Sequence, residues 1–211
     1  MIFRDRVSAG RLLAQRLEYL KGTDLVVLGL PRGGIPVAFE VAHEIKAPLD
    51  VIVVRKLGVP FQPELAMGAV GEGGVVIKND DVIRMAKISS EDFAMVKARE
   101  QEEVANRAKK FRDGRAPVSL KGRTALIVDD GIATGSTAQA ACAVARALGA
   151  EKVILAVPTG SNEAIRALSG KADEVICLDV PDNFLAVGEW YEDFSAVTDE
   201  EVIQLLRKAH V

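Results

Sequence analysis

Five short runs of the chain are almost continuously apolar: DLVVLGL (24–30), DVIVVR (50–55), TALIVDD (124–130), KVILAVP (152–158) and EVICLDV (174–180). They are rich in Val, Ile and Leu with little polar alternation, the pattern of strands covered on both faces. Between most of them lie stretches whose apolar positions recur at helical spacing, IPVAFEVAHEIK, STAQAACAVARALGA and SNEAIRALSGKA. Strand–helix–strand alternation predicts an α/β fold, a doubly wound, mostly parallel sheet with helices on both faces. Gly149 and Gly170 fall where two of these helices should end. The alternation breaks at about 80–115, where SSEDFAMVKAREQEEVANRAKKFRDGR reads as a long charged helix capped by Ser89 or Ser90. This helical insertion is either a solvated face or an arm against a neighbouring subunit, which leaves a homodimer open. With no internal repeat and no low-complexity linker, residues 1–211 read as a single domain.

Composition narrows the function classes. The 211 residues are 49% hydrophobic and 27% charged, ordinary for a globular protein with one sizeable core. A net charge of −3 and interleaved acids and bases in the helical insertion argue against nucleic acid or an anionic membrane as partner. Cys142 and Cys177 sit inside apolar runs and read as reduced, buried small hydrophobes. The N-terminus MIFRDRVSAG lacks a secretory apolar core and no stretch reaches the length of a membrane span, so a cytoplasmic location is expected.

The chemistry concentrates at TALIVDDGIATGST (124–137). Asp129 and Asp130 end a strand, where ligands of parallel sheets collect. The following Gly131, Ile132, Ala133, Thr134, Gly135, Ser136 and Thr137 form the turn into a helix. Gly131 and Gly135 allow positive φ and close approach, and the amides of about 132–137 converge at a helix N-terminus suited to a phosphate. Thr134, Ser136 and Thr137 add hydroxyl donors. The loop has neither the lysine and length of a nucleotide-binding P-loop nor a G-x-G-x-x-G fingerprint. A terminal phosphate is therefore expected, with the paired acids accepting from sugar hydroxyls. A ribose 5-phosphate satisfies both demands.

VDDGIATG resembles the 5-phosphoribosyl-1-pyrophosphate (PRPP) motif of the type I phosphoribosyltransferases, and the resemblance extends over about 24–78 and 120–195. It implies that fold, with a small C-terminal hood at about 179–197. Pro31-Arg32-Gly33-Gly34, between a strand and a helix, resembles the family's pyrophosphate loop, which often carries a non-proline cis peptide; by itself it also reads as a Gly-rich turn with a surface arginine. Arg55 and Lys56 resemble pyrophosphate contacts preceding a mobile, Pro/Gly-rich closing loop, and the alternative is an ordinary strand-end salt bridge. Glu64 reads as an acid/base candidate or as an exposed loop residue. Phe184, Trp190 and Tyr191 in the hood either stack on a planar acceptor or complete the core.

The implied reaction displaces pyrophosphate from PRPP by a ring-nitrogen or amine acceptor, with Mg²⁺ partnering the diphosphate. Asp129, Asp130, Arg32 and Lys56 are the residues it assigns to the chemistry, the cations offsetting leaving-group charge and the acids steadying the sugar. In 6-oxopurine members of the family an aspartate stands at the position of Ala133. Methyl cannot transfer a proton, so hypoxanthine and guanine become poor candidates while adenine-type acceptors remain. The competing expectations are a PRPP-sensing regulator without turnover, for which a basic surface or added nucleic-acid-binding domain is missing, and phosphoribosyl chemistry run in reverse.

Overall fold

The computed structural model describes residues 1–210. Five strands form a parallel sheet: β1 Leu25–Gly29, β2 Leu49–Val51, β6 Thr124–Val128, β7 Lys152–Thr159 and β8 Glu174–Asp179, in the order β2-β1-β6-β7-β8. Side chains alternate between two apolar layers. Val27 and Leu126 join α1 (Arg6–Arg16), α2 (Gly34–Ile45) and α7 (Asp199–Lys208) on one face. Val26, Leu28 and Ile127 join α5 (Ser136–Ala147) and α6 (Asn162–Leu168) on the other. Burial on both faces is why β1, β6 and β7 read as unbroken apolar runs. Gly149 and Gly170 take positive φ just beyond α5 and α6, as expected of helix ends. Among the described residues no helix is long and apolar enough to cross a membrane.

Three expectations need correction. The run 50–55 is not one strand: β2 stops at Val51 and a new strand, β3 Val54–Val59, starts in a second sheet. The stretch expected to be a mobile loop is an antiparallel ribbon of β3, β4 (Gln62–Gly71) and β5 (Val76–Lys78), with irregular register around Leu57–Val59. Buried ions fix the break. Asp50 accepts from the amides of Val51 (2.7 Å) and Val118 (2.8 Å), while Glu72 accepts from Val53 (3.0 Å). Arg112 spans both acids, at 2.8 Å from Asp50 and in contact with Glu72, and donates to the Val51 carbonyl at 2.9 Å. The insertion is two helices, α3 Asp80–Met85 and α4 Ser90–Arg112, the latter capped by Ser89. One face of α4 buries Phe93, Val96, Val104 and Phe111 against its own chain, and its charged positions Glu91, Arg99, Glu102 and Glu103 line the exposed side.

Candidate active site

The strand order reverses between β1 and β6: the chain leaves β1 to one side for β2, and all later sheet strands lie on the other. Such a switch point opens a crevice at the carboxyl ends of the two strands. The loops that leave those ends are Pro31–Gly34 and Asp129–Gly135. Gly29 pairs with Val128, and the Leu30 amide donates to the Val128 carbonyl at 2.9 Å. The loops therefore touch. A Cβ on Gly34 would lie 2.8 Å from the Val128 oxygen and 3.0 Å from Asp129 Oδ1, and one on Gly33 would strike the Asp130 carboxylate. Only glycine permits this closeness. The Pro31–Arg32 peptide is cis. Arg32 is 48% exposed on its side chain and reaches Asp199 at 3.7 Å.

The second loop is sewn to the end of β7. Ile132 donates to Thr159 at 3.0 Å, Ser161 N donates to Ile132 at 2.9 Å, and Ser161 Oγ donates to the Ala133 carbonyl at 2.7 Å. Gly135, at φ 78°, turns the chain into α5, and no side chain caps that helix. Its first-turn N–H groups have no intrahelical partner and lie beside the exposed Thr134, Ser136 and Thr137, the kind of helix start that suits an anion. Gly131 differs from expectation. It lacks positive φ; a Cβ there would meet Val187 of the hood at 2.5 Å, so space is the reason for glycine. A cleft of about 830 Å³ runs beside α5 to β4 and β5, but touches this loop only through Ser136.

The Asp130 amide donates to Asp129 Oδ1 at 2.9 Å. Asp130 Oδ2 accepts from Arg6 Nε at 2.8 Å, and the Asp130 carbonyl accepts from the Tyr191 hydroxyl at 2.5 Å. Each carboxylate keeps one oxygen without a protein donor among the described residues, Asp129 Oδ2 and Asp130 Oδ1. Burial and then the neighbouring Asp130 carboxylate push the Asp129 carboxyl well up from its ordinary value, with Arg6 opposing. Burial also pushes up the Tyr191 hydroxyl, keeping it a donor. An uncapped helix start, two half-free carboxylates and a glycine-backed loop thus meet at one end of the sheet. The sequence model of a phosphoribosyl transferase domain matches residues 7–194.

The chain belongs to the phosphoribosyl transferase family. It is 56% identical over 209 residues to a Mycobacterium tuberculosis protein provisionally named a phosphoribosyl transferase, a match that covers 99% of this chain and 47% of that one. The chain thus spans about half the length of the curated relatives it matches. The crystal structure of TT1426 from Thermus thermophilus superposes with a TM-score of 0.90 at 44% identity over 99% of both chains.

Within this phosphoribosyl transferase domain, the residues expected at the site divide into two groups. Arg32, Gly33, Gly34 and residues 129–137 converge at the switch point. Arg55 and Lys56 lie on β3, where Arg55 pairs with Glu100 of α4 at 3.0 Å and Lys56 with Glu64 at 3.2 Å. Among the described residues neither has an ion pair or hydrogen bond with the two loops, and Glu64 is nearly fully exposed. In the hood, Tyr191 completes a small core with Phe3, while Phe184 and Trp190 stack at 6.1 Å and stay half-buried. Arg6, 124 positions from its partner, was absent from the expected site. A signal existed: a cation in the first turn of a helix opposes the dipole and suggests employment elsewhere.

Proposed function

We propose that this protein transfers a phosphoribosyl group from PRPP to a ring-nitrogen or amine acceptor with release of pyrophosphate. The observation that carries the reading is the contact between the glycine-backed Pro31–Gly34 loop and the acid pair beside the uncapped start of α5. The 5-phosphate would sit on the amides and hydroxyls of 132–137. The sugar hydroxyls would donate to Asp129 Oδ2 and Asp130 Oδ1, and the diphosphate would lie along Gly33 and Gly34 with Arg32 drawn from its loose contact with Asp199. The acceptor nitrogen forms its bond to the anomeric carbon as the bond to the pyrophosphate oxygen breaks. The positive charge that builds on the ring meets the two carboxylates, and the charge on the leaving group meets Arg32. Arg55 and Lys56 would join only after exchanging their present partners.

Mg²⁺ fits this donor set. The described residues include no cluster of three or more side chains able to cage a metal, whereas two adjacent carboxylates with uncommitted oxygens suit an ion carried largely by phosphate oxygens and water. Bound there, it would offset leaving-group charge. Ala133 is exposed at the crevice and offers no proton-transfer group, so hypoxanthine and guanine should be poor acceptors. The test is a pyrophosphate-release screen with PRPP, Mg²⁺ and a panel of bases and amines. Release with one acceptor supports the reading. Rapid, saturable formation of inosine or guanosine monophosphate would overturn the acceptor argument, and silence across the panel with PRPP binding intact would favour a PRPP-sensing regulator.

A further inference from the structure

Asp130 does more than face the crevice: it is one of the points that hold the hood. Arg6 Nε donates to Asp130 Oδ2, while Arg6 Nη1 donates to the Ser195 carbonyl at 2.8 Å. The same guanidinium lies 3.9 Å from the centre of the Phe194 ring. One planar cation thus uses two edges and a face, which a lysine ammonium cannot do. The pair is largely dry, with 11% of the Arg6 side chain and 13% of the Asp130 side chain exposed, so solvent screens it little. From Phe194 the contact continues to Tyr191 (5.1 Å between ring centres), whose hydroxyl returns to the Asp130 carbonyl. Residues Phe3 and Arg4, immediately before α1, are zipped to the hood by Phe3 N donating to Trp190 O, Glu192 N to Phe3 O, and Asp193 N to Arg4 O. Arg6 itself is held at the start of α1 by the Asp5–Ser8 capping box.

We propose that Arg6 is a positioning residue: by clamping the Phe194–Ser195 corner of the hood onto Asp130, it makes the placement of the hood, and so of the acceptor, depend on the carboxylate that receives the sugar. The coupling to substrate rests on the phosphoribosyl transfer reading; the clamp itself does not. Asp130 Oδ1 stays open to a sugar hydroxyl while Oδ2 remains with Arg6, so a bound donor fixes the carboxylate from the free side and steadies the hood through the clamp.

The chain's single tryptophan, Trp190, lies in the hood and reports on it directly. Acrylamide quenching of its emission should rise about twofold in Arg6→Ala, as expected when a held segment opens locally. Asp130→Ala should raise it in the same direction, and in the Arg6→Ala background it should add nothing further, because the Asp130 carboxylate reaches the Phe194–Ser195 corner only through Arg6. Arg6→Lys, which keeps the charge but cannot reach all three partners, should fall between; it carries the comparison if Arg6→Ala does not fold. PRPP with Mg²⁺ should protect Trp190 in the wild type and fail to do so in Arg6→Ala that still binds PRPP by calorimetry. Quenching unchanged by either variant, or changed by Arg6→Ala but not by Asp130→Ala, would overturn the proposal. Equal protection by PRPP in wild type and Arg6→Ala would also overturn it. A wild type that binds no PRPP would instead remove the proposed function and leave the quenching comparison standing as a test of the clamp.

Discussion

Replacing Gly34 by alanine tests how tightly the two loops must meet. The added methyl would sit 2.8 Å from the Val128 oxygen, 2.9 Å from Asp129 Cα and 3.0 Å from Asp129 Oδ1. Two of these atoms are backbone at the end of β6, a strand paired on both sides by β1 and β7, so they cannot swing aside as a side-chain tip could. Relief to ordinary contact of about 3.5 Å requires the Pro31–Gly34 loop to retreat by roughly 0.5–1 Å. Overpacking of this kind costs about 1–3 kcal/mol. Alanine returns at most about 1 kcal/mol through helix propensity, and less at a first helical position. The net loss of about 1–2 kcal/mol should lower the melting temperature by roughly 2–8 °C in a domain of this size. The functional effect should be larger, because a displacement near 1 Å in a positioning loop can cost about 100-fold in rate. Thermal melting and PRPP titration of Gly34→Ala read both effects. Melting and PRPP affinity both equal to wild type would refute the argument that the loops are in obligatory contact.

Arg112→Met strands Asp50 and Glu72 without their cation; Arg112 is 8% and Asp50 3% exposed, so breaking this buried cluster should cost about 3–5 kcal/mol in urea unfolding, and a loss below about 1 kcal/mol would contradict the bracing role given to it. Asp129→Asn should stabilise the protein at alkaline pH. The folded-state pKa of Asp129 lies above its unfolded value, so protonation favours the fold; that contribution is complete below the ordinary carboxylate range and is lost as pH rises through the raised value. The variant should therefore melt above wild type at alkaline pH, with the gap closing as pH falls, and an opposite trend would show that the carboxylate is not the strained group.

Four of the five sheet strands were legible from apolar runs with little polar alternation, most plainly β1, β6 and β7, which are buried on both faces, as in LVVLG and TALIV. The acid pair and its turn were legible for a related reason: cradle, carboxylates and helix start are contiguous in the chain. The ribbon was not. Gly58, Pro60, Pro63 and Gly68 give residues 54–78 the look of a loop, and antiparallel pairing with an irregular register supplies the order that local propensity does not. The split between β2 and β3 depends on Arg112, some sixty positions away, meeting Asp50 and Glu72. Arg6 is the extreme case: nothing near it in the chain names Asp130, and only the fold brings the start of α1 to the end of β6.

The central claim is that PRPP binds at the β1–β6 switch point through the acids and the turn that follows them. Titration calorimetry of PRPP into wild type and Asp129→Asn at alkaline pH, with and without Mg²⁺, tests it most directly, because the variant should be the more stable protein and a loss of binding cannot then be loss of fold. Wild type should bind in the micromolar range, as about −8 kcal/mol of binding free energy implies, and only with Mg²⁺. Asp129→Asn should bind at least about tenfold more weakly, since a hydrogen bond to a charged group is worth roughly 1.5–3 kcal/mol. Equal PRPP affinity in the two proteins, or no PRPP binding by the wild type, would contradict the account.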